Sequence, residues 1–242
     1  KIVKNGQAGV IAVKAIHLQK EEERKQPVDK SNLYIDIGAS CREDALKAAT
    51  PGDTAVFLSD YTKFGNSFIK AKAIDDRAGC AVMLWMLEQD LSYDTWFAFT
   101  VAEEVGLVGA ATAAFRIQPD IAVVLESTTA ADLPGVTGAN RVCELGKGPA
   151  ISIRDRRTIY DAGLVKAAAE TAEKQGIPYQ FKQGIFGGND AGAIHVSREG
   201  VRTLAVSVPV RYLHSAGCVA NKTDISHTAE LAKALVQVLP TS

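Results

Sequence analysis

From about residue 68 to the C-terminus, apolar runs of strand length alternate with amphipathic stretches of helix length. The apolar runs predict strands at five places: 68–74, 95–102, 120–125, 149–153 and 203–208. The amphipathic stretches predict five helices: 77–89, 107–116, 160–175, 190–198 and 225–238. Strands that are apolar along their whole length and alternate with helices are typical of sheets covered on both faces. We therefore predict an α/β fold with a mostly parallel sheet flanked by helices.

Residues 1–70 have a different pattern. They contain short β-like segments, separated by a charged stretch and by turn sequences such as TPGD and FGNS. The β-like segments are AGVIAV, NLYIDIGA, DTAVFLS and SFIKAKA. We therefore predict two domains, a small β-rich domain over 1–67 and an α/β domain over 68–242.

Composition excludes several classes of function. The formal net charge is −1, whereas a nucleic-acid binder usually carries a basic surplus or stripe. No apolar run approaches the length of a membrane span, so we predict neither a nucleic-acid nor a membrane partner. The four cysteines are far apart and form no CxxC pair, which favours reduced thiols in a cytoplasmic protein. They are Cys41, Cys80, Cys143 and Cys218.

Acidic residues and one histidine directly follow the predicted strands. They are Asp75 and Asp76 after the first strand, Glu103 and Glu104 after the second, Glu126 after the third and His214 after the last. Open α/β sheets bind ligands at the carboxyl ends of their strands. We therefore expect five carboxylates and one imidazole to meet at one edge of the sheet.

So much negative charge needs a counter-charge, and no cluster of Arg or Lys accompanies it. Buried charges are either paired or bound to metals. Carboxylate and imidazole ligands suit zinc, cobalt or manganese. Two ions bridged by one carboxylate would hold an attacking water and polarise a carbonyl group, so we predict a site for two divalent metal ions.

The adjacent pair Glu103–Glu104 follows a predicted strand, in which successive side chains point to opposite sides. One glutamate can therefore bind a metal ion while the other faces the water as a general base. The alternative is a solvated pair of charges that complements the dipole at a helix N-terminus. The acidic residues after the other strands favour the first interpretation.

Six motifs in order along the chain resemble the signature blocks of the M42 metallo-aminopeptidases. They are KAIDDRAGC, VAEEVGLVGA, VLESTTAADLPG, LGKGPAI, GGNDAGAIH and RYLHS. This family includes glutamyl aminopeptidases, the large TET peptidases and members once labelled endoglucanases. GVIAVKAIHLQ and YIDIGA also resemble the small inserted PDZ-like β domain of the family. The resemblance covers essentially the whole chain.

The resemblance implies a role for each candidate residue. Asp75 would bridge two metal ions, Glu104 and His214 would complete one metal site, and Glu126 would serve the other. Glu103 would be the catalytic general base. Many family members carry Asp where Glu126 stands, and the longer side chain should still reach the ion. The family also implies a peptide substrate and a homo-oligomer, from dimer to hollow dodecamer, with the 1–67 domain supporting oligomerisation.

One family feature has no counterpart here. The first metal ligand of the family is a His in an H-x-D motif on an early strand, and no H-x-D occurs in this sequence. The chain also begins KIVKNGQAGV, with no initiator methionine, which resembles the middle of a domain. We therefore expect a longer protein that supplies this ligand.

Two other functions remain as alternatives to a dinuclear metal-dependent aminopeptidase. A glycoside hydrolase also needs paired carboxylates, but it has no use for His214, and only 7% of the residues are aromatic. The other alternative is a metal-deficient, non-catalytic assembly subunit. Metal content and peptide hydrolysis distinguish the three.

Overall fold

The structure is a computed structural model that describes residues 1–239. It divides the chain into two compact units, Lys1–Leu58 and a larger unit that begins at Ser59. The predicted domain boundary, 67/68, lies nine residues after the boundary between these two units, 58/59. Within the described residues, no helix has both the length and the apolar character needed to cross a bilayer.

The small unit contains one antiparallel pair of short strands, β1 (Val10–Ala12) and β2 (Tyr34–Asp36). Two helices accompany them, α1 (Glu21–Arg24) and α2 (Arg42–Ala48). Residues of the predicted third β segment form only an isolated bridge, between Ala55 and Ile2. The strands of this unit are thus shorter and fewer than the β-like pattern predicts.

The large unit is built around one sheet, which has seven strands among the described residues. They are β3 (Thr62–Phe64), β4 (Phe68–Ala71), β5 (Ile121–Thr129), β6 (Ala150–Ile151), β7 (Gln180–Phe181), β8 (Arg202–Arg211) and β9 (Cys218–Asn221). The order across the sheet is β3-β4-β9-β8-β6-β7, and β5 pairs with β8.

The sheet is mixed, so the prediction of a mostly parallel sheet is wrong in this detail. Two pairings are parallel, β5 with β8 and β6 with β7. The pairings β3–β4, β4–β9, β9–β8 and β6–β8 are antiparallel. Short connections explain part of this pattern: residues 65–67 and 212–217 are too few for a crossover, so the strands they join must run antiparallel.

Helices flank this sheet, which confirms the α/β class. They are α3 (Ile74–Leu87), α4 (Val108–Ile117), α5 (Ala162–Gln175), α6 (Ala191–Ile194) and α7 (Lys222–Val238). The Asp161 carboxylate caps α5 by accepting from Leu164 N–H at 2.9 Å, and Asn221 caps α7 in the same way. Helix α6 is shorter than the predicted 190–198 helix, and Arg198 has a left-handed φ of 52° that no helix accommodates.

Strand β8 forms the centre of the core. Its residues from Thr203 to Val210 are all buried. Leu164 of α5 and Leu231 and Leu235 of α7 are fully buried in the same cluster as Leu204 and Val206. Burying each such side chain contributes on the order of 2 kcal/mol, so β8 is a rigid support for the loop that follows it.

The segment 95–102 is not a strand, which corrects the prediction. No segment of residues 1–239 pairs with it, and Trp96 is 77% exposed. Its apolar sequence suits a buried strand, but a strand also needs a neighbour for its backbone hydrogen bonds. The local sequence shows that the segment is apolar, but it does not show whether another strand pairs with it.

Asp132 and Arg211 connect the segment after β5 to the end of β8. Arg211 Nε and Nη2 donate to the two Asp132 oxygens at 2.7 and 2.6 Å, and Leu145 N–H donates to Oδ2 at 3.1 Å. Burial acts to raise the pKa of Asp132, but the hydrogen bonds from Arg211 and Leu145 outweigh it and lower the pKa. The ionised form is therefore stabilised by folding.

We expect Asp132→Asn to lower the free energy of unfolding by about 1–3 kcal/mol at pH 7, because charged hydrogen bonds are lost. Since the folded-state pKa is lowered, the contribution is fully present above the unfolded value. This contribution to stability disappears as pH falls through the folded-state pKa of Asp132. The difference in free energy of unfolding between variant and wild type should therefore shrink below about pH 4. Urea unfolding across pH measures this, with Asp120→Asn at an exposed position as control. An equal difference at pH 7 and pH 3 would contradict it.

Candidate metal centre

Three of the predicted metal ligands converge in the structure. Asp75, Glu104 and His214 each offer a donor atom, and these atoms lie within 4.8 Å of one another. His214 Nε2 is 3.1 Å from Asp75 Oδ2 and 3.3 Å from Glu104 Oε2. Two carboxylates and an imidazole at these separations form a donor set of the kind that zinc and similar divalent ions take.

Each of these candidate ligands lies at a junction between elements. Asp75 lies in the first turn of α3, four residues after β4 ends; Glu104 lies in the turn before α4; and His214 lies between β8 and β9. Four non-glycine residues with left-handed φ angles, which are uncommon, turn the chain here. They are Ala73 (51°), Ala102 (60°), Tyr212 (59°) and His214 itself (60°).

Helix α3 lies close to β5 at Gly79. A Cβ atom at this position would be 2.7 Å from the carbonyl oxygen of Leu125, a separation that requires the backbone to move. The Gly79 N–H also donates to Asp76 Oδ1 at 3.0 Å. The glycine thus allows the start of α3, which carries Asp75 and Asp76, to lie directly beside β5.

Burial and neighbouring carboxylates raise the pKa values of Asp75 and Asp76. Burial, and then the charge of Glu104, raise the pKa of Asp75, although His214 acts in the opposite direction. Burial raises the pKa of Asp76 to about 8 against a hydrogen bond from Gly79 N–H, and the charges of Asp75 and Glu103 add to this. Such a surplus of negative charge fits a site for a divalent cation, which would reverse these shifts.

Glu103 has the environment expected of a general base. Burial raises its pKa to about 7, and the charges of Glu104, Asp190 and Asp75 contribute in the same direction. A base is most effective when its pKa lies near the working pH. The Glu103 carbonyl oxygen accepts from Gly106 N–H and Leu107 N–H, both at 3.0 Å, which fixes the backbone of this turn.

Glu126 lies apart from the three convergent ligands. The sequence places it after a strand, but it lies inside β5, opposite Ser207 of β8. Its Oε1 accepts from Asn189 Nδ2 at 3.0 Å and from Ser207 Oγ at 3.3 Å. Burial raises its pKa well above the ordinary value, the nearby Lys182 charge opposes this, and the charges of Asp75 and Asp76 add to it. Glu126 is thus near these aspartates while its side chain has partners of its own.

Sequence reasoning missed the polar residues that surround Glu126 and Glu103. Asn189 is 1% exposed, Ser207 is fully buried and Lys182 is 9% exposed. Asp190, whose charge acts on Glu103, accepts from Thr100 Oγ1 at 2.6 Å. The motif GGNDAGAIH contains two of these four residues, but its pattern alone does not indicate which carboxylates they contact.

Comparison with known proteins identifies the family. A family model described as M42 glutamyl aminopeptidase matches residues 1–231. The chain belongs to this family. The family predicted from the six motifs is therefore confirmed. As members of a metallopeptidase family, M42 proteins use divalent metal ions, in agreement with the donor set of Asp75, Glu104 and His214.

Individual M42 relatives are similar along nearly the whole chain. A putative aminopeptidase of Acetivibrio thermocellus is 40% identical over 230 residues, which is 94% of this chain and 67% of that protein. The structure of aminopeptidase APDkam598 from Desulfurococcus kamchatkensis is 38% identical, with a TM-score of 0.89 over 95% of this chain and 64% of that one. The chain thus spans about two thirds of the length of these M42 relatives.

A second similar structure is described by its mode of assembly. It is a Pyrococcus horikoshii TET1 peptidase that can assemble into a tetrahedron or a large octahedral shell. This chain is 31% identical to it, with a TM-score of 0.79, over 95% of this chain and 68% of that one.

Proposed function

We propose that the protein is an aminopeptidase that uses two divalent metal ions to remove N-terminal residues from peptides. The observation that carries the proposal is the convergence of Asp75, Glu104 and His214, whose donor atoms lie within 4.8 Å of one another. Membership of the M42 family supports it. A glycoside hydrolase would need two carboxyl groups alone, and the imidazole 3.1 Å from Asp75 has no role in that chemistry.

The residues present would divide between two ions. Asp75, Glu104 and His214 would hold one ion, and Glu126 would bind the second, with Asp75 shared between them. The donor atoms fit zinc, cobalt or manganese. When bound, such ions polarise the carbonyl of the scissile bond and make water more acidic.

Glu103 would move the proton. In this role its carboxylate takes a proton from the attacking water as the bond to the peptide carbonyl carbon forms. The same carboxyl group then gives the proton to the leaving amine, so that it is restored after each turnover. Without bound metal, burial and the neighbouring carboxylates raise its pKa to about 7, which favours acceptance of a proton.

Peptide hydrolysis before and after metal removal tests the proposal. The protein should release nitroaniline from aminoacyl-nitroanilides, lose this activity on exhaustive chelation and recover it when zinc, cobalt or manganese is added. Activity that survives complete metal removal would contradict the proposal. Metal-independent release of reducing ends from a β-glucan would instead support the glycoside hydrolase. Less than one metal equivalent per chain, with no hydrolysis, would support the non-catalytic assembly subunit.

We also propose that the protein forms homo-oligomers, with the predicted 1–67 domain supporting assembly. The support is the similarity to the Pyrococcus horikoshii TET1 peptidase, which forms closed shells. Light scattering coupled to size-exclusion chromatography tests this, and a monomer at micromolar concentration would contradict it.

A further inference from the structure

A chain of buried hydrogen bonds ends on the Glu126 carboxylate. It begins at Asp155, whose Oδ1 accepts from the backbone N–H groups of Arg157 and Thr158 at 2.7 and 2.8 Å. Asp155 Oδ2 accepts from Tyr160 O–H at 2.6 Å. Asn189 Nδ2 lies 2.8 Å from the Tyr160 oxygen and donates to Glu126 Oε1 at 3.0 Å.

The direction of every bond in this chain is determined. The Asp155 carboxylate can only accept, so the Tyr160 hydroxyl must donate its proton to it. The Tyr160 oxygen is then an acceptor for Asn189 Nδ2. The orientation of the Asn189 amide is fixed independently, because Oδ1 accepts from Ala191 N–H at 2.8 Å. Both N–H groups of the amide are therefore used, and one of them always faces Glu126.

The chain is also shielded from solvent. Asp155, Tyr160 and Asn189 are 2%, 4% and 1% exposed. Hydrogen bonds in such surroundings are strong, and a buried group that loses its partner is costly. Three buried polar side chains in series are more than is needed to satisfy the hydrogen-bonding groups of one asparagine. The group at the end of the series is the Glu126 carboxylate, a proposed metal ligand.

We propose that Asn189 is a positioning residue for the second metal ion, holding the Glu126 carboxylate in one orientation with the support of Tyr160 and Asp155. This rests on the proposed function, since it assumes that Glu126 binds an ion. The hydrogen bonds of Asn189 and Ser207 both reach Oε1. Oε2 receives none from the described residues and is left for the ion. Hydrogen-bond partners of ligand carboxylates commonly set metal affinity in this way.

Titration of the metal-free protein with Co²⁺ tests the role of Asn189, because it resolves the first and second equivalents. Asn189→Leu keeps the size of the side chain and removes both donors. We expect the second equivalent to bind about 10–100-fold more weakly and its visible absorption spectrum to change. The first equivalent, held by Asp75, Glu104 and His214, should keep its affinity.

Tyr160→Phe provides a second variant that does not depend on Asn189→Leu folding. It removes one hydroxyl, keeps the ring in the core and takes away one of the two acceptors of Asn189 Nδ2, so the second equivalent should bind more weakly by about tenfold or less. Asn221→Ala is the matched control. Asn221 is also buried and accepts from a backbone N–H, that of Thr223, at 2.8 Å, so its loss should lower the thermal midpoint without changing either affinity.

The outcomes separate the role of Asn189 from the proposed function. If both variants fold and bind the second equivalent with wild-type affinity and spectrum, the positioning role is wrong. A wild type that binds only one equivalent also overturns it. A wild type that binds two equivalents but hydrolyses no peptide contradicts the proposed function alone, and a weakened second equivalent in the variants then still supports the role of Asn189.

Discussion

Glu103→Gln is expected to lower kcat for aminoacyl-nitroanilide hydrolysis by about 10²–10⁴-fold, the usual contribution of a general base. The amide has nearly the shape of the carboxylate but cannot accept the proton of the attacking water. Because the other carboxylates and His214 bind the ions in the proposed site, metal content should be unchanged. KM should change little if Glu103 acts only in the chemical step.

The pH profile gives a second measurement of the same role. Glu103 must be ionised to accept a proton, so wild-type activity should fall as pH drops below its pKa. Without metal this pKa is about 7, and bound cations lower it, so the acidic limb should lie below pH 7 and disappear in the variant. Glu88→Gln, at an exposed position at the end of α3, is the control. Wild-type kcat in Glu103→Gln would show that this residue is not the base.

His214→Ala is expected to lower metal affinity and activity together. The imidazole is one of three convergent donors, and its removal should weaken binding of that ion by at least about 100-fold, the upper end of what loss of a supporting partner costs. The fold should remain intact, since His214 lies in the β8–β9 loop with a side chain that is 61% exposed. The thermal midpoint of the metal-free protein should therefore match that of the wild type.

Excess metal should partly restore the activity of His214→Ala, because Asp75 and Glu104 remain to hold the ion. Activity measured against Zn²⁺ or Co²⁺ concentration tests this by a shift of the saturation curve to higher concentration. His17→Ala, on an exposed turn of the small unit, is the control and should change nothing. Full metal content and full activity in His214→Ala would show that His214 is only a loop residue.

The sequence predicts the convergence of the three candidate ligands because each follows a recognisable local pattern. Asp75, Glu104 and His214 come after apolar runs, and the rule that strand ends form one edge of the sheet brings them together. The rule works even where the local structure differs. Residues 95–102 lack strand pairing, yet the turn that follows them places Glu104 3.3 Å from His214.

Glu126 shows where local pattern fails. The polar residues Ser127 and Thr128 suggest that the strand ends at 125, but both are buried and pair with Val208 and Pro209 of β8. Their burial depends on a strand some 80 residues away. Asn189 was missed for the same reason, since its contact with Glu126 joins residues 63 positions apart and nothing in the neighbouring sequence indicates it. The mixed order of the sheet is likewise a property of long-range pairing.

The left-handed residues beside the site have a consequence for how this sequence can drift in evolution. At Ala73 and Ala102, a change to glycine would remove a steric cost of about 1–2 kcal/mol. It would also add freedom to the unfolded chain, worth about 0.5–1 kcal/mol in the opposite direction. The difference favours glycine by about 0.5–1 kcal/mol, so stability alone would select glycine rather than alanine there. The methyl group of alanine restricts backbone motion next to Asp75 and Glu103. Any selection against glycine at these two positions would therefore act through the geometry of the site rather than through the stability of the fold.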